Sequence, residues 1–182
     1  MNNALIKVDI YNRQIGTGTK EELHKSAILH RAFSIFIFSG TRMLIQKRAF
    51  DKYHSGGLWA NTCCSHPRDG EDTVGAAKRR LMEEVGLAAH IKEVFTFSYY
   101  YKFAEELYEY EHDHVFIGEY PESEDGEVRM DLSKLKPNPE EIAELEFIEF
   151  EELERQLIQT PEKFTPWFLI SAPKVLKIIR DF

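Results

Sequence analysis

A mixed α/β domain is what this chain of 182 residues predicts, and three observations carry the expectation. Apolar or alternating segments of strand length recur at 32–39, 43–48, 95–101, 107–118 and 145–150. Stretches with helical spacing lie between them, and Gly and Pro punctuate the junctions as hairpins and helix ends require. No repeat or low-complexity linker divides the chain, so one domain, 1–182, with a sizeable core is expected.

The first strong strand is Ala-Phe-Ser-Ile-Phe-Ile-Phe-Ser from Ala32 to Ser39. Gly40 follows, and Met43-Leu44-Ile45-Gln46-Lys47-Arg48 completes a hairpin with one or both faces buried. Gly56-Gly57 and Asp69-Gly70 bracket a loop-rich stretch. Asp72 or Thr73 can cap a helix whose apolar residues Val74, Ala77, Leu81 and Val85 step by three and four, with Gly86 closing it. Phe95, Phe97, Tyr99 and Tyr101 alternate as in a strand, and 107–118 can pair with it. The acidic stretch 119–128, with Pro121 and Gly126, should be an exposed connection. A strand at 145–150 and a short helix at 151–159 follow, the helix ended by Thr160-Pro161. Pro166 and Pro173 mark the starts of two terminal helical pieces.

Composition narrows the function classes. The net charge of −8 disfavours binding to a nucleic-acid backbone, although a few local cations can still hold a small anion. No apolar run reaches membrane-spanning length, and Met1-Asn2-Asn3-Ala4 does not begin a secretory signal. The two cysteines are adjacent, a poor geometry for a disulfide, so free thiols and a reducing cytoplasm are expected. No dedicated interface segment is visible, so a monomer is expected.

The most informative stretch is Asn61-Thr62-Cys63-Cys64-Ser65-His66-Pro67, taken with Glu109-Tyr110-Glu111. Residues two apart on a strand share a face, so Glu109 and Glu111 can point at one object. A thiol, an imidazole and a carboxylate pair suffice for acid–base chemistry beside a metal ion. Cys-Cys-x-His also matches half of a structural zinc site, but no other cysteine supplies the second half. His112 and His114 alternate with Glu111 and should face away from it, and His54 and His90 carry no motif.

The window from Ser65 to Leu87 resembles the Nudix box. Glu71, Arg79, Leu81, Glu83, Glu84, Gly86 and Leu87 match it, while Ser65 replaces its first glycine and Arg80 replaces the glutamate of its Arg-Glu pair. An ordinary amphipathic helix with a charged face would look similar. Replacing a box carboxylate by arginine removes an anionic ligand and adds a cation, which suits holding a diphosphate more than cleaving it. With the Asn61–Pro67 and Glu109–Glu111 motifs, and with 29–34, 46–49 and 165–167, the chain resembles the metal-dependent type I isopentenyl-diphosphate isomerases from about Ile6 to Trp167.

That resemblance implies a Nudix-like mixed sheet flanked by helices. It implies conversion of isopentenyl diphosphate to dimethylallyl diphosphate, with Cys64 and Glu111 as opposed acid–base groups, Tyr99 relaying a proton and Trp167 beside the developing cation. The implied metal ligands are His24, His30, His66, Glu109 and Glu111, a set suiting Zn²⁺ or Mn²⁺ better than an all-oxygen Mg²⁺ site. A second ion, Mg²⁺, would bridge the diphosphate to Glu84, and Lys20, Arg48, Lys52 and Arg80 would bind the diphosphate. No flavin motif is visible. Spacing leaves open which of Cys64 and Glu111 acts first, and the family suggests that the Glu111 side protonates. A Nudix-type diphosphate hydrolase is the competing enzyme reading, and a non-catalytic diphosphate- or metal-binding domain is the third.

Overall fold

The computed structural model describes residues 3–120 and 131–181. From residue 121 on, the connection expected at 119–128 lies outside the described residues. The architecture turns on β3 (His30–Ser39). One edge of β3 bonds in parallel, from His30 to Phe38, to β8 (Leu107–Glu119), which pairs in turn with β7 (Lys92–Ala104) in a long antiparallel hairpin. The other edge is shared by three short pairings in series. β1 (Leu5–Val8) meets it at His30, β6 (Cys63–Ser65) at Phe33 to Ile35, and β4 (Arg42–Arg48) at Ile37 to Ser39. β2 (Gln14–Gly18) extends β1, and β4 carries β5 (Trp59–Ala60) and β9 (Ile142–Glu149).

Side-chain alternation along β3 feeds a core on each face of the sheet. Phe33, Ile35 and Ile37 pack with Ala77, Leu81 and Val85 of α2 (Thr73–Val85). Phe36 packs on the other face with Phe168, Val175 and Leu176 of α4 (Pro166–Arg180) and with Leu153 of α3 (Phe150–Gln159). Asp72 caps α2 by accepting from the Gly75 N–H, and Gly86 ends it in the left-handed region at φ 73°. A Cβ at Gly86 would lie 2.8 Å from the Lys136 backbone nitrogen, so the close approach of that segment also requires glycine.

The structure departs from the sequence expectations at four places. Val74 is 40% exposed, and the inner face of α2 is instead Ala76, Ala77, Leu81, Glu84 and Val85. Only one helix, α4, covers the C-terminal stretch and runs through Pro173. The residues on both sides of that proline, including Ser171, Ala172, Val175 and Leu176, are buried, and this packing outweighs the roughly 3 kcal/mol that an interior proline costs. The strand expected at 145–150 begins at Ile142, and Phe150 already belongs to α3. The β1–β2 hairpin and α1 (Lys20–Lys25) had no counterpart in the sequence reading, being too short for a clear period.

Where β4 diverges from β3, backbone groups of both strands lose their ladder partners. Thr62 fills the fork: its hydroxyl accepts from the Ile37 N–H at 2.9 Å and donates to the Leu44 carbonyl at 2.5 Å. Asn61 completes it by donating to the Ile35 and Cys63 carbonyls at 3.2 and 2.6 Å. Both side chains are fully buried. Replacing Thr62 by Val keeps its shape but leaves a buried donor and acceptor unpaired, at roughly 1–3 kcal/mol each. Urea unfolding of Thr62→Val should show a lower midpoint at unchanged slope, with Thr62→Ser recovering most of the loss; an unaltered Thr62→Val midpoint would refute this role.

Candidate active site

Strand alternation sends the two adjacent thiols to opposite faces. Cys63 is fully buried against α2, whereas Cys64 opens onto a cavity of about 130 Å³. Neither forms a disulfide among the described residues. Cys64 on β6 is in register with Ser34 and Glu111 on β8 with His30, so the two reach the cavity from opposite edges of β3. Burial pushes the Cys64 thiol far up, and the charges of Glu84, Glu109 and Glu111 add to this against Arg48.

Glu109, Glu111 and Asp113 share the buried face of β8, while His112 and His114 sit on the other face, bonded to Ser98 and Asn12. The Tyr99 hydroxyl lies between the two glutamates, 2.8 Å from Glu109 Oε2 and 2.6 Å from Glu111 Oε2. Burial pushes Glu111 up, but His30 and His66 together outweigh it and hold this carboxyl well below the usual range. Burial and the adjacent Glu111 charge push Glu109 well above it. The two neighbouring carboxyls are thus driven in opposite directions by their surroundings.

The donors beside Glu111 fit a divalent cation. His24 Nδ1 is 2.7 Å from the Lys20 carbonyl and His30 Nδ1 is 2.8 Å from the Ile28 carbonyl. Each Nδ1 must therefore carry the proton, which leaves Nε2 as a bare lone pair in the neutral ring. Neither Nε2 has a hydrogen-bond partner among the described residues. These two atoms, a nitrogen of His66 and an oxygen of Glu111 lie within 4.8 Å of one another. Converging lone pairs and a carboxylate, buried together, call for positive charge. Four of the five expected ligands thus converge, while Glu109 falls in a second group with His24 and His54, joined to the first through His24.

All four expected phosphate-binding cations line the same cavity. Lys20 lies 5.0 Å over the Tyr53 ring, and Arg48 lies 5.2 Å over Trp167. Lys52 is 2.5 Å from Glu141, and Arg80 bonds Glu84, Glu83 and Glu141. Burial lowers the Lys20 ammonium, and the Arg48 charge lowers it further. Trp167 is 3% exposed and donates its indole N–H to Asn61 Oδ1 at 3.1 Å. Glu84 is buried, lines the same cavity and belongs to neither group of converging donors. Sequence reasoning missed Tyr53, His54 and Glu141, all in the cavity wall. Tyr53 and His54 sit on a loop, where no periodicity relates neighbours to a face, and Glu141 lies in an acidic stretch that resembles any solvated loop.

The buried imidazoles carry a pH signature in metal-free protein. Burial first, then the neighbouring His30 charge, lowers His24 from 6.5 to about 4. Below pH 6.5 the unfolded chain protonates this histidine and the folded chain does not until about pH 4, so His24 makes the fold less stable as pH falls through that window. His24→Gln should flatten the stability–pH slope there by about 1.4 kcal/mol per pH unit, read from urea unfolding in chelator at pH 6.5, 5.5 and 4.5. An unchanged slope would remove His24 from the buried cluster.

Comparison with known proteins matches this geometry to a family. A sequence profile of the NUDIX domain matches residues 28–168. The isopentenyl-diphosphate Delta-isomerase of Serratia proteamaculans is 44% identical over 170 residues, covering 93% of this chain and 89% of that protein. Isopentenyl-diphosphate Delta-isomerase 2 of Aromatoleum aromaticum is 40% identical over 177 residues, covering 97% and 88%. Among solved structures, DR0079 from Deinococcus radiodurans superposes with a TM-score of 0.70 at 14% identity, over 96% of this chain and 97% of that one. A MutT NUDIX hydrolase from Burkholderia pseudomallei gives 0.61 at 16%, over 81% and 98%, and these two likenesses concern the fold alone. The solved structures share the fold but the isomerases share the sequence, and the chain accordingly belongs to the Nudix superfamily and, within it, to the isopentenyl-diphosphate Delta-isomerase family.

Proposed function

We infer that this protein isomerises isopentenyl diphosphate to dimethylallyl diphosphate. The observation that carries the reading is one cavity lined by a half-buried thiol and a buried carboxylate, Cys64 and Glu111, from opposite edges of β3. An unactivated alkene is a very weak base, so a strong, desolvated acid must protonate it and a second group must take a proton from the neighbouring carbon. Water must stay out, or the cation would become an alcohol.

Glu111, with the Tyr99 hydroxyl on its Oε2, delivers the first proton, and Cys64 takes the second. A return proton from the Cys64 side to the Glu111–Tyr99 side then readies the site. Trp167, already a partner for the Arg48 guanidinium, offers its ring to the developing carbocation. Lys20, Arg48, Lys52 and Arg80 hold the diphosphate.

His24, His30, His66, Glu109 and Glu111 would hold a divalent ion, Zn²⁺ or Mn²⁺ by the character of the donors. When bound, that ion supplies charge that partly neutralises the carboxylates. Glu84 would share a Mg²⁺ with the substrate diphosphate. The reading includes a reducing cytoplasm, which suits two free thiols, and a monomer; among the described residues no helix is long and apolar enough to cross a membrane.

Incubation with isopentenyl diphosphate and Mg²⁺ or Mn²⁺ should yield dimethylallyl diphosphate. Released phosphate would instead indicate a hydrolase, and unchanged substrate a binding domain. Cys64→Ala should abolish turnover and Cys63→Ala should keep most of it, so equal losses would sink the assignment. Trp167→Phe should slow turnover about ten-fold with little change in KM, because a weaker cation–π partner costs about 1–2 kcal/mol only where charge develops. A lower melting temperature with unchanged kcat would make Trp167 purely structural.

A further inference from the structure

His54 is the buried imidazole that the isomerase chemistry does not use. It lies on the loop between β4 and β5, 8% exposed, with its ring stacked on Phe103 at 4.2 Å between centroids and edge-on to Tyr53 at 4.3 Å. Its Nε2 is 3.1 Å from Glu109 Oε1, and its Nδ1 is 3.3 Å from the Ser55 hydroxyl. A ring in which Ser55 donates to Nδ1 carries its proton on Nε2, the atom that faces Glu109. The other oxygen of Glu109, Oε2, accepts from Tyr99.

We propose that His54 is a positioning residue for Glu109: its Nε2–H fixes one carboxylate oxygen while Tyr99 fixes the other, so that Glu109 is presented to the divalent ion in one orientation. The proposal rests on the metal reading of the His24–Glu111 cluster. Aromatic packing holds the imidazole, so the hydrogen bond costs little further ordering. Outer partners that orient a ligating carboxylate typically change metal affinity 10–100-fold when removed. The group formed by His24, His54 and Glu109 also permits a different arrangement, in which His54 ligates the ion itself, and the experiment separates the two.

Mn²⁺ alone, titrated into metal-free protein against a chromophoric chelator, reads the affinity without any turnover. His54→Phe keeps the ring and its stacking but lacks the N–H, and it should bind Mn²⁺ 10–100-fold more weakly. His54→Gln, which returns an N–H donor at similar reach, should recover much of that loss. Melting curves of the same metal-free samples should show all three proteins folded at the titration temperature. Pulsed electron paramagnetic resonance of wild-type protein with Mn²⁺ should count three imidazole ligands. Binding by His54→Phe within two-fold of wild type, or a count of four imidazoles, would overturn the assignment alone. A wild type that takes up no Mn²⁺ would overturn the metal reading together with it.

Discussion

The fork between β3 and β4 is the constraint on which the rest of the site depends. A sheet that stays closed along both strands has no room for a cavity, and a sheet that opens strands backbone donors and acceptors in its interior. Asn61 and Thr62 resolve this by supplying side-chain groups where the ladder stops. The segment that plugs the fork is the one that carries β6, so the opening and the placement of Cys64 are a single event. Trp167 is tied into the same knot through Asn61 Oδ1, and the Thr165 N–H bonds the Trp59 carbonyl just before α4 begins. The Trp167 ring is therefore registered to the segment that carries Cys64.

Electrostatic balance is the second constraint. A chain with a net charge of −8 lines one cavity with the cations Lys20, Arg48, Lys52 and Arg80 and the acids Glu84, Glu109, Glu111 and Glu141. The carboxylates of Glu84 and Glu141 occupy Arg80 and Lys52 where a diphosphate would bind. They hold those side chains extended into the cavity, which lowers the ordering cost of anion binding. With Glu109 and Glu111 they also balance the cations of the cavity, four against four, so a diphosphate has to bring or share positive charge. On the proposed reading a dication accompanying the diphosphate would supply it, with Glu84 as its partner in the cavity wall.

Much of this was legible in the sequence, for identifiable reasons. The Ala32–Arg48 hairpin, the caps of α2 and the alternation of Glu109 with Glu111 follow from local rules of period and turn chemistry, and all three are present. The opposite fates of Cys63 and Cys64 follow from alternation along β6, a strand within the stretch that the sequence marked as loop-rich. Elements below six or seven residues, β1, β2, α1, β5 and β6, are too short to carry a period. Pro173 marked a break by local chemistry, and burial on both sides of it overrode that rule. Spacing alone did not reveal that Arg48 lies over Trp167, that His54 meets Glu109, or that Glu141 closes the cation cradle. Each is a contact between segments far apart in sequence, and no local period relates one segment to the other.

Arg80 explains in physical terms why a Nudix helix serves an isomerisation. A hydrolase needs a box rich in free carboxylate oxygens, so that metal ions can polarise a phosphate and generate a nucleophile from water. Here the arginine bonds Glu83, Glu84 and Glu141 at once, and Arg79 takes Glu71 and Glu83. Most oxygens that would have clustered on metal ions are committed to guanidinium groups, which bind a diphosphate without activating water. The principal cation-fitting donors lie instead on α1, on β8, and on and beside β3 and β6, around Glu111. On the proposed reading the helix would hold the diphosphate, leaving Cys64 and Glu111 in the same cavity to exchange protons with the hydrocarbon part of the substrate.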